Sequence, residues 1–226
     1  MGKAVSRGQA LQVAARVATQ VNWDDLRGDT LQANVIDLTP EEFGNRFTAF
    51  LKNGAQLITA SAMVILTKTF IPSRFVGNGW TIWKGPIDGD GLSGDEDMDK
   101  RSLKISKIEV ANLVFNNCLK EGETSIRGEE KIRRLKEKPE TIRLGGNVFL
   151  GLWKDYEANG SGGILEWLYK SKGLRFIDFP GLVLRDPNGH RYILDLYRND
   201  DGQWDWDYDW LVFDWNADIL SAGCAS

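Results

Sequence analysis

The residues best equipped for chemistry lie near the C-terminus. There, aspartates and aromatic rings alternate through Trp204-Asp205-Trp206-Asp207-Tyr208-Asp209-Trp210, with Asp195 shortly upstream. A period of two places the carboxylates on one face of a strand and the rings on the other. Carboxylates at close quarters are the oxygen donors that magnesium and calcium take, and a metal held there could hydrolyse a phosphodiester. The same charges also suit a solvated face that discourages strand addition. The row Trp206, Tyr208, Trp210 could stack on sugars or unpaired bases. Set opposite leucines of neighbouring strands, it reads as core instead. Trp204 and Trp215, near the ends of this region, are the rings expected to be exposed. The candidate binding residues are therefore Asp195, Asp205, Asp207, Asp209, Trp204 and Trp215; no residue is assigned a catalytic role, and no cofactor is indicated.

Other reactive residue types are sparse. His190 is the only histidine, and its place just after a turn glycine suits a turn residue better than a general base. Cys118 sits in an apolar stretch and reads as buried and inert. No Gly-x-Ser-x-Gly, phosphate loop or dinucleotide fingerprint occurs. Residues 85–100 gather Asp88, Asp90, Asp95, Glu96, Asp97 and Asp99. A calcium loop counted from Asp88 would need an oxygen ligand at Leu92, glycine at Ser93 and glutamate at Asp99, so that match fails. The loop reads as solvated and acidic. A basic cluster, Arg127, Lys131, Arg133, Arg134, Lys136, Lys138 and Arg143, flanks a helix pair resembling a helix-turn-helix, but Glu129, Glu130, Glu137 and Glu140 dilute it.

The elements that must position these residues follow from turn chemistry. Asp186-Pro187-Asn188-Gly189 and Asn199-Asp200-Asp201-Gly202 each suit a type I turn closed by a left-handed glycine. That geometry sets Asp186 opposite His190 and Asn199 opposite Gln203. Counting outward pairs Leu184 with Tyr192, Leu182 with Leu194, Leu196 with Trp206, Leu194 with Tyr208 and Tyr192 with Trp210. Apolar meets apolar on one face throughout. On the other face Asp195 lies opposite Asp207, an unfavourable like-charge pairing.

Upstream, Thr39-Pro40-Glu41-Glu42 is a helix start with a capping box, followed by Phe43, Phe47, Phe50 and Leu51 at helical spacing and a stop at Asn53-Gly54. Val5, Leu11, Val13, Ala14 and Val17 suggest a looser helix. Ala55–Lys68 and Trp80–Trp83 read as strands. Arg101–Leu119 begins as a strand and continues as strand or helix. Helices are expected over Gly128–Lys138, from Asn147 through Tyr156, and around Ile164–Tyr169. Gly160-Ser161-Gly162-Gly163 is the most linker-like stretch.

These elements predict an α+β fold: helices in the N-terminal and middle parts packed on antiparallel sheet, with a C-terminal three-stranded meander. The expected division is residues 1–160, a mixed region, and 161–226, a short helix plus the meander, unless one domain holds both. At 226 residues, a core needs neither disulfides nor structural metal. Two cysteines, no signal-peptide core and no apolar run near 20 residues point to the cytoplasm and away from a membrane. A net charge of −4 argues against nucleic acid as partner.

Several of these segments also carry a resemblance. Phe47-Thr48-Ala49-Phe50-Leu51-Lys52-Asn53-Gly54, Gly128-Glu129-Glu130-Lys131-Ile132-Arg133-Arg134-Leu135-Lys136, Leu184-Arg185-Asp186-Pro187-Asn188-Gly189-His190-Arg191, Trp204-x-Trp206-x-Tyr208-x-Trp210-Leu211 and Ser221-Ala222 together resemble a group of small proteins encoded by uncultivated candidate-phylum bacteria. The likeness covers roughly residues 43–226; Gly223-Cys224 departs from it, where aliphatic residues are expected. The resemblance implies no activity and no functional residues. The functional expectation is thus a non-catalytic binding or interaction protein that meets a protein or small ligand through the acidic face or exposed tryptophans. The alternatives are a metal-dependent hydrolase on Asp195, Asp205, Asp207 and Asp209, and a winged-helix-like DNA-binding regulator on residues 127–157.

Overall fold

The structure, a computed structural model, describes residue 6, residues 36–52 and residues 63–226. The chain forms two compact units, residues 1–57 and 58–226. In the first, helix α1 (Pro40–Lys52) starts as its sequence dictates. The Glu42 amide donates to Thr39 Oγ1 and the Thr39 amide donates back to Glu42 Oε2, closing the capping box. The expected helix before residue 35, the Asn53-Gly54 stop and the start of the Ala55–Lys68 strand lie outside the described residues.

The second unit runs β1 (Val64–Leu66), α2 (Pro72–Phe75), β2 (Thr81–Ile82), α3 (Lys100–Leu103), β3 (Lys107–Glu109), β4 (Leu113–Asn116), β5 (Ser125–Arg127) and α4 (Gly128–Lys136). It continues with β6 (Thr141–Arg143), α5 (Gly146–Asn159), α6 (Ile164–Lys172), β7 (Phe176–Arg185), β8 (Arg191–Arg198), β9 (Trp204–Trp210), β10 (Asp214–Asn216) and β11 (Ile219–Ala225). Its main sheet has the order β4-β11-β7-β8-β9, with β2 and β6 pairing β7 and β11. The fold is α+β, and the C-terminal meander β7-β8-β9 is present within this larger sheet. One pairing departs from the antiparallel expectation: β11 returns alongside β7 in parallel. Gly223 admits this tail to the sheet interior, since a Cβ there would meet Thr141 Cγ2 at 2.7 Å.

Both hairpin turns form as counted. The Asp186 amide donates to the His190 carbonyl and the Asn199 amide to the Gln203 carbonyl, while Gly189 and Gly202 take φ of 86° and 85°. The β8–β9 register holds at each expected pair: Leu196 with Trp206, Leu194 with Tyr208, Tyr192 with Trp210 and Asp195 with Asp207. On β7 only Leu184–Tyr192 holds. Leu194 faces Phe179, not Leu182, because a bulge interrupts β7 between Phe179 and Leu184. At that bulge the Gly181 amide donates to the Leu144 carbonyl and its own carbonyl accepts from Asp99. The backbones approach so closely that a Cβ on Gly181 would lie 2.2 Å from the Arg143 carbonyl oxygen.

Both faces of the sheet are covered. Helices α5 and α6 pack Val148, Phe149, Leu152, Ile164, Leu165 and Leu168 against Ile177, Phe179, Leu184, Leu194 and Leu196. The opposite face carries a smaller cluster of Trp83, Ile132, Val183, Ile193, Leu211 and Trp215 under α4. Residues 160–162 form a 3₁₀ turn between α5 and α6, inside the second unit. Residues 101–103, expected to begin a strand, belong instead to the helical turn α3, because Asp99 caps it, accepting from the Arg101 amide. No described helix is long and apolar enough to cross a membrane.

Candidate functional site

The four candidate aspartates do not share one environment. Asp195 is buried, Asp209 is half-buried, and Asp205 and Asp207 are exposed. The bulge in β7 adds a residue that spacing alone did not reveal, because it brings Asp178 directly opposite Asp195. Ser221, Asp178, Asp195 and Asp207 thereby form one row across four strands. Lys131 descends from α4 onto this row; its Nζ donates to Asp178 Oδ2 at 2.5 Å and to the Ile219 carbonyl at 2.8 Å. Both side chains are fully buried. Burial, with Asp209, Asp207 and Asp178 nearby, pushes the Asp195 carboxyl up to about 9. Burial, with Asp178 and Asp207, pushes Asp209 up to about 6. The expectation of an open, solvated acidic face is corrected here: α4 and the Trp215 segment cover its inner half.

Asp205 and Asp207 have a different job. Residues 191 and 211 are a hydrogen-bonded pair, because the Leu211 amide donates to the Arg191 carbonyl. By alternation Asp205, Asp207 and Asp209 face β8, and the amides of Trp204, Trp206, Tyr208 and Trp210 point out from the sheet edge. Asp205 Oδ1 accepts from the Trp206 amide and Asp207 Oδ1 from the Tyr208 amide, each at 2.8 Å. The Trp204 amide donates to Tyr156 Oη. Three of the four outward donors on this edge strand are therefore occupied, which blunts it against strand addition.

The two tryptophans expected to be exposed are buried, at 3% each. Glu166, on α6, accepts from Trp204 Nε1 at 3.1 Å and from Arg198 Nε at 2.8 Å. Trp215 packs in the α4-side cluster beneath Lys131, whose Nζ lies 5.1 Å from the ring centroid. Chain position near the ends of the meander said nothing of the helices that cover them.

The accessible rings are those read as core. Trp206, Trp210, Tyr192 and Trp80 are half-buried and Tyr208 is exposed. Trp80 meets Tyr208 at 4.5 Å and Tyr192 at 5.3 Å between centroids. Tyr192 stacks on Trp210 at 6.2 Å, and Trp210 contacts His190 at 4.8 Å and Phe213 at 5.3 Å. Helices α5 and α6 cover the leucine end of this face; beyond them the rings form a ledge. Trp210 and His190, at one end of the ledge, also line an open groove of about 450 Å³ that lies toward the α4 side of the sheet, with Trp83, Ile87, Asp88 and Arg127 among its other walls. His190 Nδ1 is held 3.1 Å from Asp186 Oδ2. Burial works to raise the Asp186 carboxyl, yet hydrogen bonds from the His190 amide and ring, with His190's charge, hold it below the usual range. No sequence signal marked Trp80 as a partner of this ledge, from which it lies more than a hundred positions away, or Arg127 as a wall of the groove.

Most of the basic cluster is neutralised. Arg133 pairs with Glu130 and Glu137, Arg134 with Glu123 and Glu130, Lys136 with Asp97, and Arg143 lies buried beside Asp99. Strand β6 separates α4 from α5, so they are not a helix-turn-helix pair. The acidic loop is only partly solvated. Burial works to raise Asp97 and Asp99; hydrogen bonds from Lys136 and Arg191 outweigh it at Asp97, and those from Arg101 and the Arg143 amide outweigh it at Asp99. Among the described residues no group of three or more histidine, cysteine, aspartate or glutamate side chains converges to hold a metal ion. No protein-family model matches the chain, and comparison with curated proteins and with solved structures finds no significant likeness.

Proposed function

We propose that this is a non-catalytic binding protein whose ligand lies along the Trp80–Tyr208–Tyr192–Trp210 ledge and enters the groove beside His190. The carrying observation is a row of accessible rings that ends at Trp210 and His190, two residues that also line a groove offering Arg127 and Asp88. Aromatic faces beside a few convergent polar groups suit a ligand with apolar faces and many hydroxyls, such as an oligosaccharide. The occupied edge of β9 disfavours a peptide added as a further strand. The convergence that metal-dependent hydrolysis requires is not found among the described residues, and the pairing of Arg133, Arg134, Lys136 and Arg143 leaves the basic cluster little free charge for phosphate. Both cysteines are free and buried, in keeping with a reducing compartment such as the cytoplasm.

The test is a titration of the full chain with soluble oligosaccharides, read by tryptophan fluorescence and amide chemical shifts. Binding should perturb the 190–192 and 206–213 amides, and Trp210→Ala should weaken it by roughly tenfold or more while leaving the fold intact. Saccharides that shift no resonance in this region, or a Trp210→Ala protein that binds as well as wild type, would overturn the reading.

A further inference from the structure

The buried row beneath α4 poses a charge-balance problem that the binding reading does not touch. Asp178 and Asp195 are direct cross-strand neighbours. The Arg198 amide donates to the Arg175 carbonyl, so residues 175 and 198 are a hydrogen-bonded pair. Three steps along, 178 and 195 fall at a non-hydrogen-bonded position, where side chains stand closest, with Cα atoms about 4.5 Å apart. Asp178 is 0% exposed and Asp195 6%. One oxygen of each, Asp178 Oδ1 and Asp195 Oδ1, is buried with no hydrogen-bond partner, as is Oγ of neighbouring Ser221. The cation that reaches Asp178 is Lys131, bound through the other oxygen, Oδ2.

Two carboxylates side by side and out of water cannot both ionise against one ammonium group. Among the described residues Lys131 is the one cationic side chain paired with either carboxylate. A proton resolves both the charge and the orphaned oxygens. We infer that Asp195 is a neutral carboxylic acid that donates a hydrogen bond to Oδ1 of Asp178, making Lys131–Asp178–Asp195 a charge-neutral triad with one stored proton. The other titratable groups facing Asp195 are Asp207 and Asp209 on β9 and Tyr197 on its own strand. Both aspartates disfavour ionisation of Asp195. The triad is thus an alkaline-sensitive element at the centre of the sheet, and its burial keeps it from acting on any substrate.

The experiment is a pH titration of the full-length protein followed by carboxyl ¹³C resonances of aspartate, together with thermal melts of wild type and Asp195→Asn. Asparagine keeps a donor toward Asp178 without the titrating proton. The Asp195 carboxyl should keep the shift of a protonated acid through neutral pH. Wild type should lose melting temperature between mildly acidic and alkaline pH, and Asp195→Asn should lose less than half as much. An Asp195 carboxyl that titrates in the ordinary acidic range overturns the inference, as does an unchanged alkaline decline in Asp195→Asn. So does a neutral-pH shift of that resonance on adding millimolar sodium, magnesium or calcium chloride, which would put a metal cation in the proton's place. The wild-type titration decides the matter even if Asp195→Asn fails to fold.

Discussion

A lysine with no exposed surface is the residue on which the α4 side of the sheet turns. Lys131 lies in a run, Glu129-Glu130-Lys131-Ile132-Arg133-Arg134, that reads as an ordinary charged helix. In the folded chain it leaves its neighbours, passes over Trp215 and reaches Asp178. Breaking such a pair from one side strands a buried charge. Lys131→Met should therefore destabilise by about 3–5 kcal/mol, whereas Lys131→Met combined with Asp178→Leu should recover most of the loss. Urea unfolding of the two variants measures the difference. A double variant as unstable as the single one would mean that the pair is needed for more than charge balance. Trp204 teaches the same lesson at this scale: its indole nitrogen meets Glu166 only because α6 lies across that end of the meander, and residue type alone does not carry that information.

At the scale of elements, local chemistry and tertiary contact part company at the β7 bulge. Turns are local, so Asp186 through Gly189 and Asn199 through Gly202 specify their hairpins, and with them the β8–β9 register. The bulge is not local. Five steps along β7 answer to two along β8 between Phe179 and Leu184, because residues 143–145 press against Gly181 from a distant part of the chain. Without that contact the count from the turn places Leu182 opposite Leu194, and Asp178 never enters the acidic row. The edge strand β9 shows the opposite case, where alternation of aspartate and aromatic residues solves a local problem. Each carboxylate of Asp205 and Asp207 binds the next residue's outward amide. Replacing both by alanine should free two edge donors beside a ring ledge and promote self-association, read by sedimentation velocity across a concentration series. A double variant that stays monomeric where wild type does would show that these bonds are not what guards the edge.

For the whole molecule, the titrating groups work in opposite directions. Asp97, Asp99 and Asp186 have carboxyls held below their ordinary value, so their stabilisation is present above about pH 4 and is lost on acidification. Asp195 and Asp209 are raised to about 9 and about 6, so the folded state keeps protons that the unfolded chain releases. Their contribution is complete below about pH 4. It declines as pH rises, through about 6 for Asp209 and about 9 for Asp195. The stability maximum should therefore lie at mildly acidic pH, with a continued fall toward alkaline pH, measurable by denaturant midpoints across that range. A midpoint that climbs steadily from pH 5 to pH 9 would contradict this sign.

The amino-acid sequence by itself determined the parts set by neighbours along the chain. These include the capping box at Thr39, the helices that become α4, α5 and α6, both hairpin turns and the pairing of β8 with β9. Each follows from backbone preferences and side-chain spacing within about a dozen residues. Only the tertiary structure decided which face each charge and ring meets. Asp195 is buried and Trp210 half-exposed although their spacing suggests the reverse, because α4 and the Trp215 segment cover the aspartate face at Asp195, whereas α5 and α6 cover the aromatic face at its leucine end and leave Trp210 beyond them. Burial depends on which distant segment covers a strand, and that depends on packing of the whole core.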